Sequence, residues 1–212
     1  MFYRISPVLA VCSALLLSGC LATGGSDVIT GPTLTEQQWN EQRTRLVDAD
    51  NYLIRGTLDL NLLPRHTYAG NTSTRGSASF VYSRDGLNYV FVVTHHLAGV
   101  LLKIRRSEAA GVELTDADGV KHTFRSEKEF LDTVRIPTGR LPYWMMGILL
   151  GDESASRRDQ EGRLAMAESA GWRISYFEYG LFGSYVLPRR MKLENSDVGT
   201  IMVATDSWEF AK

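Results

Sequence analysis

Between Tyr52 and Leu62 the chain alternates two kinds of residue: Tyr52, Ile54, Gly56, Leu58, Leu60 and Leu62 against the mostly polar Leu53, Arg55, Thr57, Asp59 and Asn61. Successive strand side chains point to opposite faces, so this period of two predicts a strand with one face in a core. Five more such segments follow at short spacing: 76–83, 89–94, 100–106, 112–115 and 121–124. Arg84-Asp85-Gly86 and Asp116-Ala117-Asp118-Gly119 lie between them as hairpin turns, where glycine supplies a positive φ. Connections this short allow only antiparallel pairing. The first two thirds of the chain therefore reads as a β-meander.

Helical signals flank and then interrupt it. Thr35-Glu36-Gln37-Gln38 fits a capping box, with Thr35 as N-cap, and opens a helix that carries Trp39, Leu46 and Val47 on one face. Ser126-Glu127-Lys128-Glu129 fits a second box and opens a helix with Phe130, Leu131 and Val134, ended by Pro137-Thr138-Gly139. A third, apolar helix is expected over 141–150, with Pro142 in its first turn. Residues 151–163 read as a charged loop, and three strands close the chain: 172–179, 185–194 and 198–205. Pro188 inside the second marks an edge strand or a bulge. The expected architecture is mainly β within an α+β class. It is a twisted antiparallel sheet that curls into an open, incomplete barrel, with helices inserted before the last three strands and covering its mouth.

The N-terminus sets the compartment. Arg4 is followed by an apolar run, Val8 to Leu17, and then by Leu17-Ser18-Gly19-Cys20. A basic start and a short apolar run form a secretory signal, too short to anchor as a transmembrane helix. Leu-Ser-Gly-Cys resembles a bacterial lipobox, at which the cysteine sulfur takes a diacylglycerol, the chain is cut before it, and the new amine is acylated. On this reading residues 1–19 are a signal peptide and 20–33 a lipidated N-terminus and flexible tether, rich in Gly, Ser and Thr. Residues 34–212 are then one domain. Cys12 leaves with the signal and Cys20 is acylated, so no disulfide can form within the mature chain, and stability rests on a hydrophobic core. The whole chain carries −1, and Arg4 is the sole charge within 1–19, which leaves −2 for the remainder. Nothing in that balance favours nucleic acid.

Motifs for chemistry are few. The sequence holds no GxxxxGK[ST] loop, no GxGxxG after a strand, no HExxH and no GxSxG elbow. His95-His96 is the one histidine pair, and adjacent strand residues diverge unless the backbone turns there, so no metal role is assigned. His66 and His122 stand apart, and nothing selects a catalytic pair among the scattered carboxylates. The apolar segments are more informative. Leu97-Ala98-Gly99-Val100-Leu101-Leu102 joins two strands without polar turn residues, so it is either buried or a tip that meets another apolar phase. The 141–150 segment is apolar nearly all round, and its methionines suit a surface that fits variable chains.

From about Trp39 to the C-terminus the chain resembles the LolB family. The resemblance is carried by Cys20, Gln38-Trp39, Tyr52-Leu53-Ile54-Arg55-Gly56, Thr94-His95-His96-Leu97-Ala98-Gly99, Val112 to Gly119, Pro142 to Gly147, Met191-Lys192-Leu193 and Asp206-Ser207-Trp208. It implies a LolA/LolB-like half-barrel, lipid-anchored in the outer membrane and facing the periplasm. Such a protein accepts acylated lipoproteins from a LolA-like periplasmic carrier and inserts them into outer-membrane lipid, as a monomer, with no enzymatic activity and no cofactor beyond the acyl groups on Cys20. The family's membrane-inserting leucine falls on Leu97. The family's proline before it is replaced by His96, and Ala98 follows, which predicts a less rigid tip. Ile54, Leu58, Leu60, Trp144, Met145, Ile148 and Met191 are the expected lining of the acyl-chain cavity. Two other classes stay open at this point: a structural lipoprotein of envelope assembly, and a cell-envelope hydrolase.

Overall fold

The computed structural model describes residues 29–63, 74–134, 136, 138–151 and 155–211; Cys20, the signal segment and His66 lie outside them. In chain order the elements are α1 (Glu36–Val47), β1 (Asn51–Leu62), β2 (Thr74–Asp85), β3 (Asn88–His95), β4 (Gly99–Ser107), β5 (Gly111–Thr115) and β6 (Lys121–Phe124). Then come α2 (Glu127–Val134), α3 (Leu141–Met145), β7 (Ser156–Arg158), β8 (Leu164–Ser169), β9 (Trp172–Phe182), β10 (Tyr185–Asn195) and β11 (Gly199–Phe210). All eleven strands form one antiparallel sheet in the order β6-β5-β4-β3-β2-β1-β11-β10-β9-β8-β7. The two halves of the chain meet where β1 pairs with β11. The edges β6 and β7 do not pair, so the barrel stays open. Residues 125–155 run from one edge to the other and carry α2 and α3 across the gap.

The alternation in β1 is realised: Tyr52, Ile54, Gly56, Leu58 and Leu62 are buried, and Leu60 on the same face is partly so. Arg55, Thr57, Asp59 and Asn61 face solvent on the convex side. One face is packed and one wet, as in many antiparallel sheets. Gly56 lies where β1 shifts register against β11. A Cβ there would fall 2.1 Å from the Ala204 carbonyl oxygen and 2.7 Å from the Phe80 ring, so the glycine lets that ring fill the concave face.

Several expectations need correction. The structure has five strands after the helices, not three: β7 and β8 occupy parts of the chain read as loop or left unassigned. β7 is Ser-Arg-Arg, with no apolar alternation to reveal it. The third helix ends at Met145, not at residue 150. The Gly147 N–H donates to the Trp144 carbonyl, the Ile148 N–H donates to the Tyr143 carbonyl, and Gly147 takes φ +71°, which closes the helix with a left-handed turn. Val47 is exposed; the buried face of α1 is Trp39, Gln42 and Leu46. Gln42 docks as a strand would: its amide donates to the Val186 carbonyl and accepts from the Val186 N–H, both at 2.8 Å. The Thr35–Gln38 capping box forms in full. At Ser126 the hydroxyl accepts from the Glu129 N–H, whereas the Glu129 carboxylate reaches the Arg125 N–H, one residue early. Pro188 marks a bulge in β10, a strand between β11 and β9 and not at the edge.

The tether is shorter than the composition implies. Thr30 forms a parallel bridge with Glu178, its N–H donating to the Phe177 carbonyl and its carbonyl accepting from the Tyr179 N–H. β8 pairs with β9 only as far as Ser175, which leaves that stretch of β9 edge for Thr30. The buried Arg163 clips this strap: its guanidinium donates to the carbonyls of Ile29 and Gly31, both at 2.9 Å, and is paired with Asp159 at 2.7 Å. Buried arginine is tolerated here because its donors are engaged. Gly31 has φ +110°, and a Cβ would lie 1.9 Å from the Tyr179 carbonyl oxygen. Gly31→Val is therefore expected to release the strap. Hydrogen exchange should quicken at the Thr30 and Tyr179 amides, by about 1–3 kcal/mol of lost local stability, while the β1 amides keep their protection.

Candidate functional site

The concave face and the segment across its mouth bring together most of the residues expected to line a cavity. Ile54, Leu58, Trp144, Met145, Ile148 and Met191 are all buried in one continuous apolar core, and Leu60 packs at its margin. The sheet supplies the floor through registered neighbours. Ile54 lies between Tyr82 of β2 and Trp208 of β11, and Leu58 lies between Ala78 and Val203, with Met191 beyond Val203. α3 and the two residues after its closing turn supply the roof.

A set of polar contacts fixes that roof. The Arg84 guanidinium donates to the Tyr143 hydroxyl at 2.7 Å and to the Tyr52 hydroxyl at 3.5 Å, and lies 5.2 Å from the centroid of the Tyr143 ring. The Tyr176 hydroxyl donates to the Trp144 carbonyl at 3.0 Å. Tyr89 and Thr138 share a hydrogen bond of 2.9 Å, and Arg106 pairs with Glu127 of α2 at 3.5 Å. All but the Arg84–Tyr52 contact link a strand to the crossing segment, each by a polar bond worth ~1 kcal/mol. No sequence pattern marks Arg84 for this role, because nothing separates an arginine at a strand end from a solvated one.

Among the described residues, two buried side-chain polar atoms have no hydrogen-bond partner, the Tyr82 hydroxyl and the Trp208 indole N–H. Both residues flank Ile54 on the concave face. An unpartnered buried donor costs about 1–3 kcal/mol.

At the far end of β3 the chain turns through His96, Leu97 and Ala98, with Gly99 at φ +75°. Leu97 is 83% exposed, the most exposed of the large apolar side chains among the described residues. Leu101 is bulged out of register where Val93 pairs with Leu102 and Thr94 with Val100. The tip is braced from within: His95 Nδ1 accepts from the N–H groups of both Leu97 and Ala98, at 3.3 Å each. The turn also brings the two imidazoles side by side, 4.5 Å between centroids, where a straight strand would have parted them. No cluster of three metal-ligating side chains occurs among the described residues.

The titratable groups of the interior are tyrosines. Burial pushes Tyr52 and Tyr89 up to about 12, and Tyr82, Tyr176 and Tyr179 higher still. An unfolded chain releases these protons near pH 10, whereas the folded one keeps them. Their stabilisation is complete below pH 10 and is lost as pH rises towards 12, at ~1.4 kcal/mol per unit for each group. Tyrosinate absorbance should accordingly rise together with loss of the near-ultraviolet circular dichroism above pH 10. Ionisation of these five at pH 10 in a chain still folded would contradict the burial.

Residues 66–208 match the family model described as "Outer membrane lipoprotein LolB". Among relatives, the outer-membrane lipoprotein LolB of Stutzerimonas stutzeri is 28% identical over 212 residues, covering 95% of this chain and 94% of that one. The proteins of the same name from Pseudomonas fluorescens and Aeromonas hydrophila are 25% and 23% identical. The alignments cover 89% and 84% of this chain and 88% of each relative. A solved structure of a DUF1329 family protein from Desulfovibrio piger aligns over 85% of this chain and 94% of that one, at 8% identity and a TM-score of 0.46. The family match spans well over half of the chain, and the chain belongs to the LolB family of outer-membrane lipoproteins.

Proposed function

We propose that this protein accepts acylated lipoproteins from a LolA-like periplasmic carrier and passes them to the inner leaflet of the outer membrane, itself held there by acyl groups on Cys20. The observation that carries the reading is the open sheet whose apolar concave face is roofed, not closed, by α3. A triacylated chain end cannot cross water unaided: at ~0.8 kcal/mol per exposed methylene, three chains sum to tens of kcal/mol. Ile54, Leu58, Leu60, Trp144, Met145, Ile148 and Met191 are the side chains that acyl groups would meet once α3 is lifted. Trp144 and Met145 move with the roof, and the others on the sheet stay. The Tyr82 hydroxyl and Trp208 N–H are then free donors for the ester or amide carbonyls at the head of those chains. Transfer runs downhill from carrier to receptor to bilayer, and no bond is broken. The other two classes have less in their favour: neither a scaffold nor a hydrolase accounts for an 83% exposed leucine at a braced tip together with two unpartnered donors inside.

The test is transfer of cargo from a loaded carrier to the mature chain lacking its acyl groups, followed by pull-down. Cargo is expected on this protein; cargo that stays on a native carrier would overturn the reading. Leu97→Glu is expected to fold and to accept cargo normally while failing to release it into vesicles, and unchanged release would refute the role of the tip. Tyr82→Phe removes an unpaired hydroxyl. It should leave stability equal or higher by about 1 kcal/mol and weaken cargo binding several-fold. Equal binding in a competition assay would remove Tyr82 from the site.

A further inference from the structure

The strap and the sheet register together define a membrane-facing rim larger than Leu97. Strands β1, β3, β5, β8 and β10 end at one end of the sheet; Leu63, Leu97 and Val120 belong to that end. The opposite end carries the β2–β3 turn with Leu87 and the β9–β10 hairpin with Leu181. Exposed large apolar side chains occur at both ends, so exposure alone does not choose between them.

Register shows which of them share a rim. Through β2, His95 of β3 lies level with Leu58, four residues below Leu62 and two strands away. Thr115 of β5 lies level with Arg55, three residues lower and two strands further. At ~3.3 Å per residue and ~4.8 Å per strand, the line of hairpin ends departs by roughly 50° from the perpendicular to the strands. Strands of a curled antiparallel sheet tilt by about 35–45° to the barrel axis, close to that descent. The ends of β1, β3 and β5 are thus staggered along the sheet but about level along the barrel. Leu63, Leu97, Val100 and Val120, all exposed, stand along that level.

Polarity supplies the occupant. The strap at Thr30 runs parallel to β9. β9 runs away from the Leu97 end, because it is antiparallel to β10, β10 to β11, and β11 to β1. Followed backwards from Thr30 to Ile29, the chain therefore points towards the end that bears Leu97. The bridge lies level with Thr57, five residues below Leu62, and residues 20–28 extended span at most about 30 Å, enough for an acylated Cys20 to reach past that end. We propose that Leu63, Leu97–Val100 and Val120 form one lipid-contacting rim, presented to the membrane by the strap that Arg163 clips to β9. The inference rests on the acylated, membrane-delivering function proposed above.

The experiment uses the mature acylated chain on vesicles of phosphatidylethanolamine and phosphatidylglycerol. One environment-sensitive fluorophore is placed in turn at Leu63→Cys, Leu97→Cys, Val120→Cys, Leu87→Cys and Leu181→Cys. Nitroxide-bearing lipid should quench the first three at least threefold more than the last two. Quenching confined to position 97, quenching equal at 87 or 181, or none at any position would overturn the rim. The measurement involves no carrier and no cargo. A chain that shows the rim pattern yet takes no cargo would therefore sink the proposed function and leave the rim standing.

Discussion

An antiparallel sheet with one apolar face must either close on itself or find a cover, because that face is too costly to leave in water. Here the edges β6 and β7 stay unpaired, and the chain itself has to travel between them. The segment that makes the journey carries the buried Phe130, Trp144, Met145 and Met146, and it becomes the cover. Topology and burial thus have a single cause. The crossing segment is long enough to span the mouth, and it packs on the concave face without adding a strand.

A roof of this kind differs from ordinary core. α3 is five residues long, far below the length at which an isolated helix is stable, so it exists through its contacts with the sheet. Those contacts are apolar packing with a few polar bonds from Arg84, Tyr89 and Tyr176. The strands beneath pair continuously with one another and would keep their ladders if the roof moved. Local opening with the sheet intact is the low-cost fluctuation of such a structure.

What the sequence made legible follows the strength of its periodic signal. β1 to β6 could be read because alternation and Asp-Gly turns agree along that stretch, and the Thr35–Gln38 box could be read because capping is local chemistry. β7 could not: three polar residues carry no period, and they pair only because β8 offers an edge. The length of α3 turned on one left-handed glycine, Gly147, in an otherwise apolar run. The strap was hidden for a similar reason. Leu21 to Pro32 has the composition of a tether, yet Ile29, Thr30 and Gly31 meet a free stretch of β9 and a buried arginine more than 130 residues away. Of the proposed site, the shared apolar face of Ile54, Leu58 and Met191 could be inferred from periodicity and family. Arg84, the bracing role of His95 and the two unpartnered donors depend on distances that no single-sequence pattern contains.

The closed interior also bears on the energetics of transfer. On the proposed function, acyl chains entering the concave face would replace not water but Trp144, Met145 and Ile148, which already cover it. The net affinity is therefore the difference between burial of the acyl chains and exposure of the roof, and it falls well below the tens of kcal/mol that full desolvation of the chains implies. A dry cavity waiting open would hold its cargo more tightly and would compete with the bilayer for it. A roof that must be lifted lowers that grip while keeping the empty protein soluble at its mouth. On the proposed function, the same residues that cover the apolar face between cycles would make release to the membrane downhill.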